Sequence, residues 1–176
     1  LLGNGKVETT DADGKITEIS ADNIIIATGA RAKWFPGMEP DGKQIITYKE
    51  AMIPEKQPKS LVIIGAGAIG VEFAHFYQTF GTEVTLIEAL PNILPIEDED
   101  ISVELEKLFK KRKMNILTNT MVEKIEKLKS SVKVHLNSGD IVEADNALIA
   151  VGVQGNVEDL GLEECNIAVE KGWIKV

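Results

Sequence analysis

Leu61-Val62-Ile63-Ile64-Gly65-Ala66-Gly67-Ala68-Ile69-Gly70 decides the reading of this chain. A short, uninterrupted apolar run of this kind reads as a strand covered on both faces, as in a parallel sheet. Glycines spaced G-x-G-x-x-G follow at once, and a helical apolar pattern opens at Ile69. In a strand–turn–helix context each glycine has a distinct reason. Gly65 allows the tight turn, Gly67 lets the backbone approach a pyrophosphate with no Cβ in the way, and Gly70 lets the helix lie close to the strand. Free N–H groups at the helix start and the positive end of its dipole then meet the phosphates. The stretch predicts a dinucleotide site.

Downstream, the spacing predicts a helix over Ile69–Phe80 with Ile69, Phe73, Phe76 and Phe80 on its apolar face, ended by Gly81. A second strand, Glu83–Ile87, finishes at Glu88, eighteen residues after Gly70. A carboxylate there can accept hydrogen bonds from both hydroxyls of an adenosine ribose and would repel a 2′-phosphate. No Arg occupies Ala89-Leu90-Pro91-Asn92 to rescue the phosphorylated cofactor, so NAD(H) is expected. Glu72, two residues past the last glycine, reads as part of the first helical turn, where the dipole alone favours an acid. Spacing does not separate that reading from a role at a redox site. Another helix is expected over Ile101–Lys111, with Glu97-Asp98-Glu99-Asp100 and Lys110-Lys111-Arg112-Lys113 as its solvated, dipole-complementing ends. Asn115–Leu117 would be a third parallel strand. From there the period changes to two, and Val132, Val134 and Leu136 anchor an antiparallel meander over about Met121–Ala144.

Upstream, Asp11-Ala12-Asp13-Gly14 reads as the turn of a hairpin joining Lys6–Thr10 to Lys15–Ile19. Asn23–Ala27 reads as a buried strand. Residues 31–59, rich in Pro and Gly, read as a connection with one helical turn near Tyr48–Met52. Ala21-Asp22-Asn23-Ile24-Ile25-Ile26-Ala27-Thr28-Gly29 recurs as Ala144-Asp145-Asn146-Ala147-Leu148-Ile149-Ala150-Val151-Gly152, each copy preceded by a polar hairpin. The echo predicts two related units, each closing a nucleotide-binding fold with the same element. The first copy has no Gly-rich opening, so the chain reads as the middle of a longer protein.

Composition narrows the function classes. A formal charge of −9 argues against nucleic acid as the main partner. No apolar run approaches the ~20 residues that span a membrane, and the start lacks the features of a signal peptide. Cys165 is alone, which excludes an internal disulfide or dithiol pair, and no His/Cys cluster suggests a metal site. His75 and His135 fall off the apolar stripes and read as solvent-facing rather than catalytic.

Pro58–Ala74 resembles the pyridine-nucleotide domain of the flavoprotein disulfide reductases, most closely their dihydrolipoamide dehydrogenase branch. The resemblance extends through Ile24–Ala30, Val84–Glu88, Ile93-Leu94-Pro95, Asn119-Thr120-Met121-Val122 and Leu160-Gly161-Leu162-Glu163-Glu164. It implies an NAD site lined by Gly65, Gly67, Ala68, Ile69, Gly70, Glu72, Glu88, Val122 and Gly152, with Val122 against adenine and Gly152 towards nicotinamide. Glu72, the one catalytic candidate, would sit where nicotinamide meets the flavin. Gly5, Thr28 and Gly29 would touch FAD in the full-length parent. In the family, electrons pass from dihydrolipoamide through a Cys pair and FAD to NAD⁺, and the partner is the dihydrolipoyl carrier of a 2-oxoacid dehydrogenase complex. A homodimeric parent is implied, cytoplasmic, or in the mitochondrial matrix of a eukaryote. The Cys pair, the FAD-binding Gly-rich opening and the C-terminal interface domain would lie outside this chain. Relatives often carry an Arg and a Pro after Gly152, where this chain has Val153-Gln154-Gly155-Asn156.

The expected fold is therefore α/β: a Rossmann-like parallel sheet with crossover helices and an antiparallel β-meander, flanked by remnants of an FAD domain. Residues 1–59 would end that FAD domain and its linker, 60–152 form the NAD domain, and 153–176 return to the FAD domain. Two alternatives stay open: a sibling enzyme of the NADH oxidase or mercuric reductase type, and a binding module inactive by itself.

Overall fold

The computed structural model describes residues 1–176. In chain order the first elements are β1 (Lys6–Thr10), β2 (Ile16–Ser20), β3 (Ala30–Ala32), β4 (Ile45–Ile46), α1 (Tyr48–Met52) and β5 (Ser60–Ile64). Next come α2 (Ala68–Thr79), β6 (Glu83–Ile87), α3 (Glu99–Lys111) and β7 (Asn115–Leu117). The chain continues with β8 (Val122–Lys127), β9 (Val132–Leu136), β10 (Ile141–Ala144), β11 (Asn146–Ile149), β12 (Val153–Gly155), β13 (Val169–Glu170) and β14 (Trp173–Ile174). Two compact units result: Ala32–Gly152, and Leu1–Arg31 together with Val153–Val176.

In the Ala32–Gly152 unit, five strands form one parallel sheet in the order β4-β11-β5-β6-β7. Its two faces are covered differently, and the strand period of two sorts the side chains between them. Leu61 and Ile63 of β5 join Leu86, Ala74, Tyr77 and Phe109 in the cluster under the helices. Val62 and Ile64 turn the other way, onto Val122, Val132, Val134 and Leu136 of the three-stranded meander β10-β9-β8. This two-sided burial is why β5 carries no polar alternation. At α3, Asp98 caps the N-terminus by accepting the Asp100 N–H at 2.9 Å, with acids in the first turn and lysines in the last.

The buried face of α2 is not the expected one. Gly70, Val71, Ala74 and Tyr77 face the sheet, whereas Phe76 is 47% and Phe80 63% exposed. Small residues at Gly70 and Ala74 let the helix press onto the strands. The Tyr77 hydroxyl, buried at its far end, donates to the Ala51 carbonyl at 2.7 Å. Phe76 packs edge-on against Tyr77, with ring centroids 5.3 Å apart, covering the helix from outside.

The two copies of the Ala-Asp-Asn repeat meet different fates. Asn146–Ile149 is a central strand because β4 and β5 hydrogen-bond to it on either side. Asn23–Ala27, expected to be a buried strand, forms no ladder, and Ile25 is 90% exposed. An apolar run becomes a buried strand only where neighbouring strands satisfy its peptide groups. The unit boundaries also differ from the expected segments. Residues 32–59 belong with the parallel sheet rather than with residues 1–31: β4 adds to its edge, and Met38, Ile45, Ile46 and Ala51 are buried in it.

The Leu1–Arg31 and Val153–Val176 unit contains the β1–β2 hairpin, whose turn is held by Asp11 accepting the N–H groups of Asp13 and Lys15. A small β13–β14 hairpin lies near its end. Thr28 and Arg31 are tied to residues 156–158. The Thr28 hydroxyl donates to the Asn156 carbonyl at 2.7 Å, and the Arg31 guanidinium grips both Glu158 oxygens at 3.0 and 2.7 Å. That hydrogen-bonded guanidinium holds the Glu158 carboxyl down at about 2.

Candidate functional site

At the C-terminal ends of β11, β5 and β6 the parallel sheet opens a cleft of about 460 Å3. This is where open α/β sheets bind ligands, outside the carboxyl ends of the strands. The Gly-rich turn forms its floor. Gly65 has φ +98°, and a Cβ there would meet the Ala150 carbonyl oxygen at 2.5 Å. Its N–H donates to the Ile87 carbonyl at 2.8 Å, so the turn is pinned between the strands on both sides. A Cβ on Gly70 would run into the Gly65 carbonyl oxygen, which accounts for the close start of α2. Gly67 differs from both. Its backbone is ordinary (φ −70°, ψ −173°), and no atom lies within 4 Å of where its Cβ would be. Neither conformation nor packing requires a glycine there, and the space in front of it is open to the cleft.

Glu88 stands at the end of β6, 8% exposed, and lines the cleft. One carboxylate oxygen accepts the Ala66 N–H at 2.7 Å and the other the Leu90 N–H at 2.9 Å. Ala66 is held from its other side too, its carbonyl accepting the Leu94 N–H at 2.8 Å. Beyond the ribose contact expected from its position, Glu88 clamps the Gly-rich turn to the loop after β6. Each oxygen keeps a lone pair free to accept another donor.

The remaining expected residues divide. Ala68, Ile69, Val122 and Gly152 join Gly65, Gly67 and Glu88 in the lining, and Gly70 lies behind the turn as its packing partner. Glu72 does not join them. It lies beyond the first turn of α2, exposed, beside a separate depression with His75, Leu105, Phe109 and Arg112. The helix starts at Ala68, a residue earlier than expected, and the 100° step per residue carries Glu72 off the cleft side. Gly5, Thr28 and Gly29 lie in the other unit. There the Gly5 Cβ position is blocked by the Ala21 carbonyl oxygen at 2.6 Å, and the Thr28 hydroxyl is engaged with Asn156.

Sequence reading missed Phe35, Met38, Pro95, Ile96 and Met121, which complete the cleft walls. Phe35 and Met38 sit in a Pro/Gly-rich stretch read as linker; apolar residues within that stretch were the available signal. His75 is exposed, with its Nδ1 2.9 Å from an Arg112 nitrogen. His135 is half-buried rather than fully solvated, its Nε2 3.2 Å from Glu126. Cys165 is free and half-buried. No helix is long and apolar enough to cross a membrane.

Comparison with known proteins places this geometry in a family. The family model described as pyridine nucleotide-disulphide oxidoreductase matches residues 1–176. The chain is 46% identical to a dihydrolipoyl dehydrogenase of Rhizobium etli, over 88% of this chain and 33% of that protein. It is 43% identical to the dihydrolipoyl dehydrogenase of Zymomonas mobilis, over 100% of this chain and 39% of that one. Among solved structures, LpdA of Mycobacterium tuberculosis superposes with a TM-score of 0.88 at 32% identity, covering 95% of this chain and 36% of that chain. The chain thus spans between a third and two-fifths of the length of these relatives. With its parallel sheet, antiparallel meander and Gly-rich cleft, the chain belongs to the pyridine nucleotide-disulphide oxidoreductase family.

Proposed function

We propose that the Ala32–Gly152 unit is the NAD(H)-binding domain of a dihydrolipoamide dehydrogenase, the enzyme that oxidises protein-bound dihydrolipoyl groups and reduces NAD⁺. The observation that carries the reading is Gly67, a glycine that neither the backbone nor the packing demands, open onto the cleft at the start of a helix. A pyrophosphate fits there, since it needs backbone approach and the unpaired N–H groups of a first helical turn. The NAD contacts are assigned to Gly65, Gly67, Ala68, Ile69, Glu88, Val122 and Gly152, with Gly70 shaping the turn from behind. When bound, NAD⁺ supplies a two-electron hydride acceptor. The chain's own residues hold it: the α2 N-terminus meets its phosphates, Glu88 accepts from the adenosine ribose, and the apolar walls exclude water.

Gly5, Thr28 and Gly29 do not by themselves make a flavin cradle, because backbone packing and Asn156 already account for Gly5 and Thr28. No flavin chemistry follows from them. The unit they belong to is assigned to the family's other nucleotide domain on the strength of the Ala-Asp-Asn repeat, with the unpaired Asn23–Ala27 run as the counterpart of β11. The dihydrolipoyl carrier of a 2-oxoacid dehydrogenase complex is the corresponding partner of the whole enzyme.

Calorimetric titration of the 176-residue chain tests the reading. NADH should bind, NADPH at least about tenfold more weakly, and Glu88→Ala should cost NADH about 1–3 kcal/mol by leaving ribose hydroxyls unpaired. Thermal unfolding of the variant separates this from loss of the Ala66 and Leu90 contacts. NADPH binding as tightly as NADH would overturn the role of Glu88; no binding of either would overturn the site.

A further inference from the structure

Two polar side chains line the cleft, Glu88 and Thr120, with no lysine, arginine, histidine or side-chain amide among the other lining residues. Neither has a proton to offer a ligand. The Glu88 carboxylate accepts from the Ala66 and Leu90 N–H groups and keeps lone pairs free. The one hydroxyl proton of half-buried Thr120 is committed to the Thr118 carbonyl at 2.9 Å, which leaves the lone pairs of its Oγ1 as its free function. Backbone donors beside them are engaged as well. The Thr120 N–H donates to the Glu88 carbonyl at 2.9 Å, and the Met121 N–H to the Asn137 side-chain oxygen at 3.1 Å.

The cleft is therefore polarised. Donors stand at the N-terminus of α2, and acceptors at the Glu88 and Thr120 end. Sheet order sets the sequence in which a ligand meets them. β5, β6 and β7 lie side by side; the Gly-rich turn leaves β5, Glu88 follows β6, and Thr120 belongs to the connection after β7. With phosphates at the turn and a ribose at Glu88, the next group outward is the base, over residues 120–122. Adenine carries a donating amine on C6, where hypoxanthine and guanine carry an accepting oxygen.

We propose, resting on the nucleotide-site reading above, that Thr120 selects the base: its Oγ1 accepts a hydrogen bond from the exocyclic amine of adenine. A base with an oxygen at C6 would set two acceptors against each other with no proton between them, and each would lose its bond to water. Glu88 thus chooses the sugar and Thr120 the base, both by offering lone pairs and no protons.

The test compares NADH with its reduced hypoxanthine analogue by fluorescence titration of the 176-residue chain. The unaltered chain should bind NADH about tenfold more tightly than the analogue, the effect of one hydrogen bond lost and one acceptor left unpaired. Thr120→Val keeps the shape and removes the oxygen. It should weaken NADH by about fivefold and leave the analogue within about twofold, so that the preference nearly disappears. Thr120→Ser keeps the hydroxyl and should keep the preference. A change that merely loosened the connection after β7 would weaken both ligands alike and leave their ratio where it was. Such an unmoved ratio in Thr120→Val, or an unaltered chain that binds the two equally, would overturn the proposal while NADH binding upheld the nucleotide site. If the unaltered chain bound neither ligand, the site itself would fall, and this inference with it.

Discussion

The three glycines of the β5–α2 turn should behave as three different residues when each is replaced by alanine. At Gly65 two costs combine. A left-handed φ of +98° penalises any L side chain by about 1–2 kcal/mol, and the added Cβ meets the Ala150 backbone, which is locked in a sheet and cannot yield. With about 1–3 kcal/mol for overpacking, Gly65→Ala should cost about 2–5 kcal/mol. Gly70→Ala carries only the steric part, about 1–3 kcal/mol, because its backbone is helical. Gly67→Ala carries neither. Replacing a glycine N-cap by alanine costs about 0.5–1 kcal/mol, and restricting the unfolded chain returns about 0.4–1 kcal/mol, so stability should change by less than about 0.5 kcal/mol. Yet its methyl group would project into the space where the pyrophosphate must approach, and NADH affinity should fall at least about tenfold, about 1.4 kcal/mol. Urea unfolding followed by circular dichroism reads the first quantity, and NADH fluorescence titration the second. A Gly67→Ala variant that binds NADH like the parent would refute the assignment of this turn to the pyrophosphate. One that unfolds as readily as Gly65→Ala would refute the assertion that packing leaves that position free.

Asp41 should give the fold a defined acid limb. Burial alone would push its carboxyl up, but the N–H groups of Lys43 and Ile45, the Lys127 ammonium and the Gln44 N–H outweigh that and hold it at about 2, below the ordinary 3.8. A group lowered on folding stabilises above its unfolded value and loses that contribution as pH falls through its folded one. The Asp41 share of stability should therefore be complete above about pH 4 and disappear towards pH 2. Asp41→Asn should flatten that part of the urea-midpoint profile, and an unchanged profile would show the turn to be irrelevant to acid unfolding. Tyr77→Phe should cost about 1–2 kcal/mol in thermal or urea unfolding, because the Ala51 carbonyl is left without its donor in the helix-side core. A neutral result would mean that water reaches that carbonyl.

Much of the nucleotide cleft was legible in the chain itself, for local reasons. A glycine at a positive φ, a helix start after a buried strand and an acid at the end of the next strand are set by backbone geometry within a few residues. Gly65, Gly67 and Glu88 could thus be placed from spacing, and the charged ends of α3 from its dipole, though the helix starts at Glu99, two residues before the expected Ile101. The meander showed in the period of two through Val132, Val134 and Leu136, because that period is a property of any strand with one buried face.

Other features waited on the tertiary structure because their causes lie far away in sequence. Asn23–Ala27 and Asn146–Ile149 read alike, yet only the second is a strand, since a ladder requires neighbours that the run itself does not encode. The face of α2 was misread because Phe76 and Phe80 are more hydrophobic than Gly70 and Ala74, while close approach to the sheet rewards small residues over large ones. Glu72 left the cleft by a fraction of a helical turn, an angle that motif spacing does not resolve. Phe35 reached it from a segment that looks like linker, tied there by the Lys33 N–H on the carbonyl of Gly152, more than a hundred residues on. The Gly-rich turn and the acid after the next strand were readable from the chain because they are local backbone chemistry. Only the folded chain decided which side chains wall the cleft, because that depends on packing between distant segments.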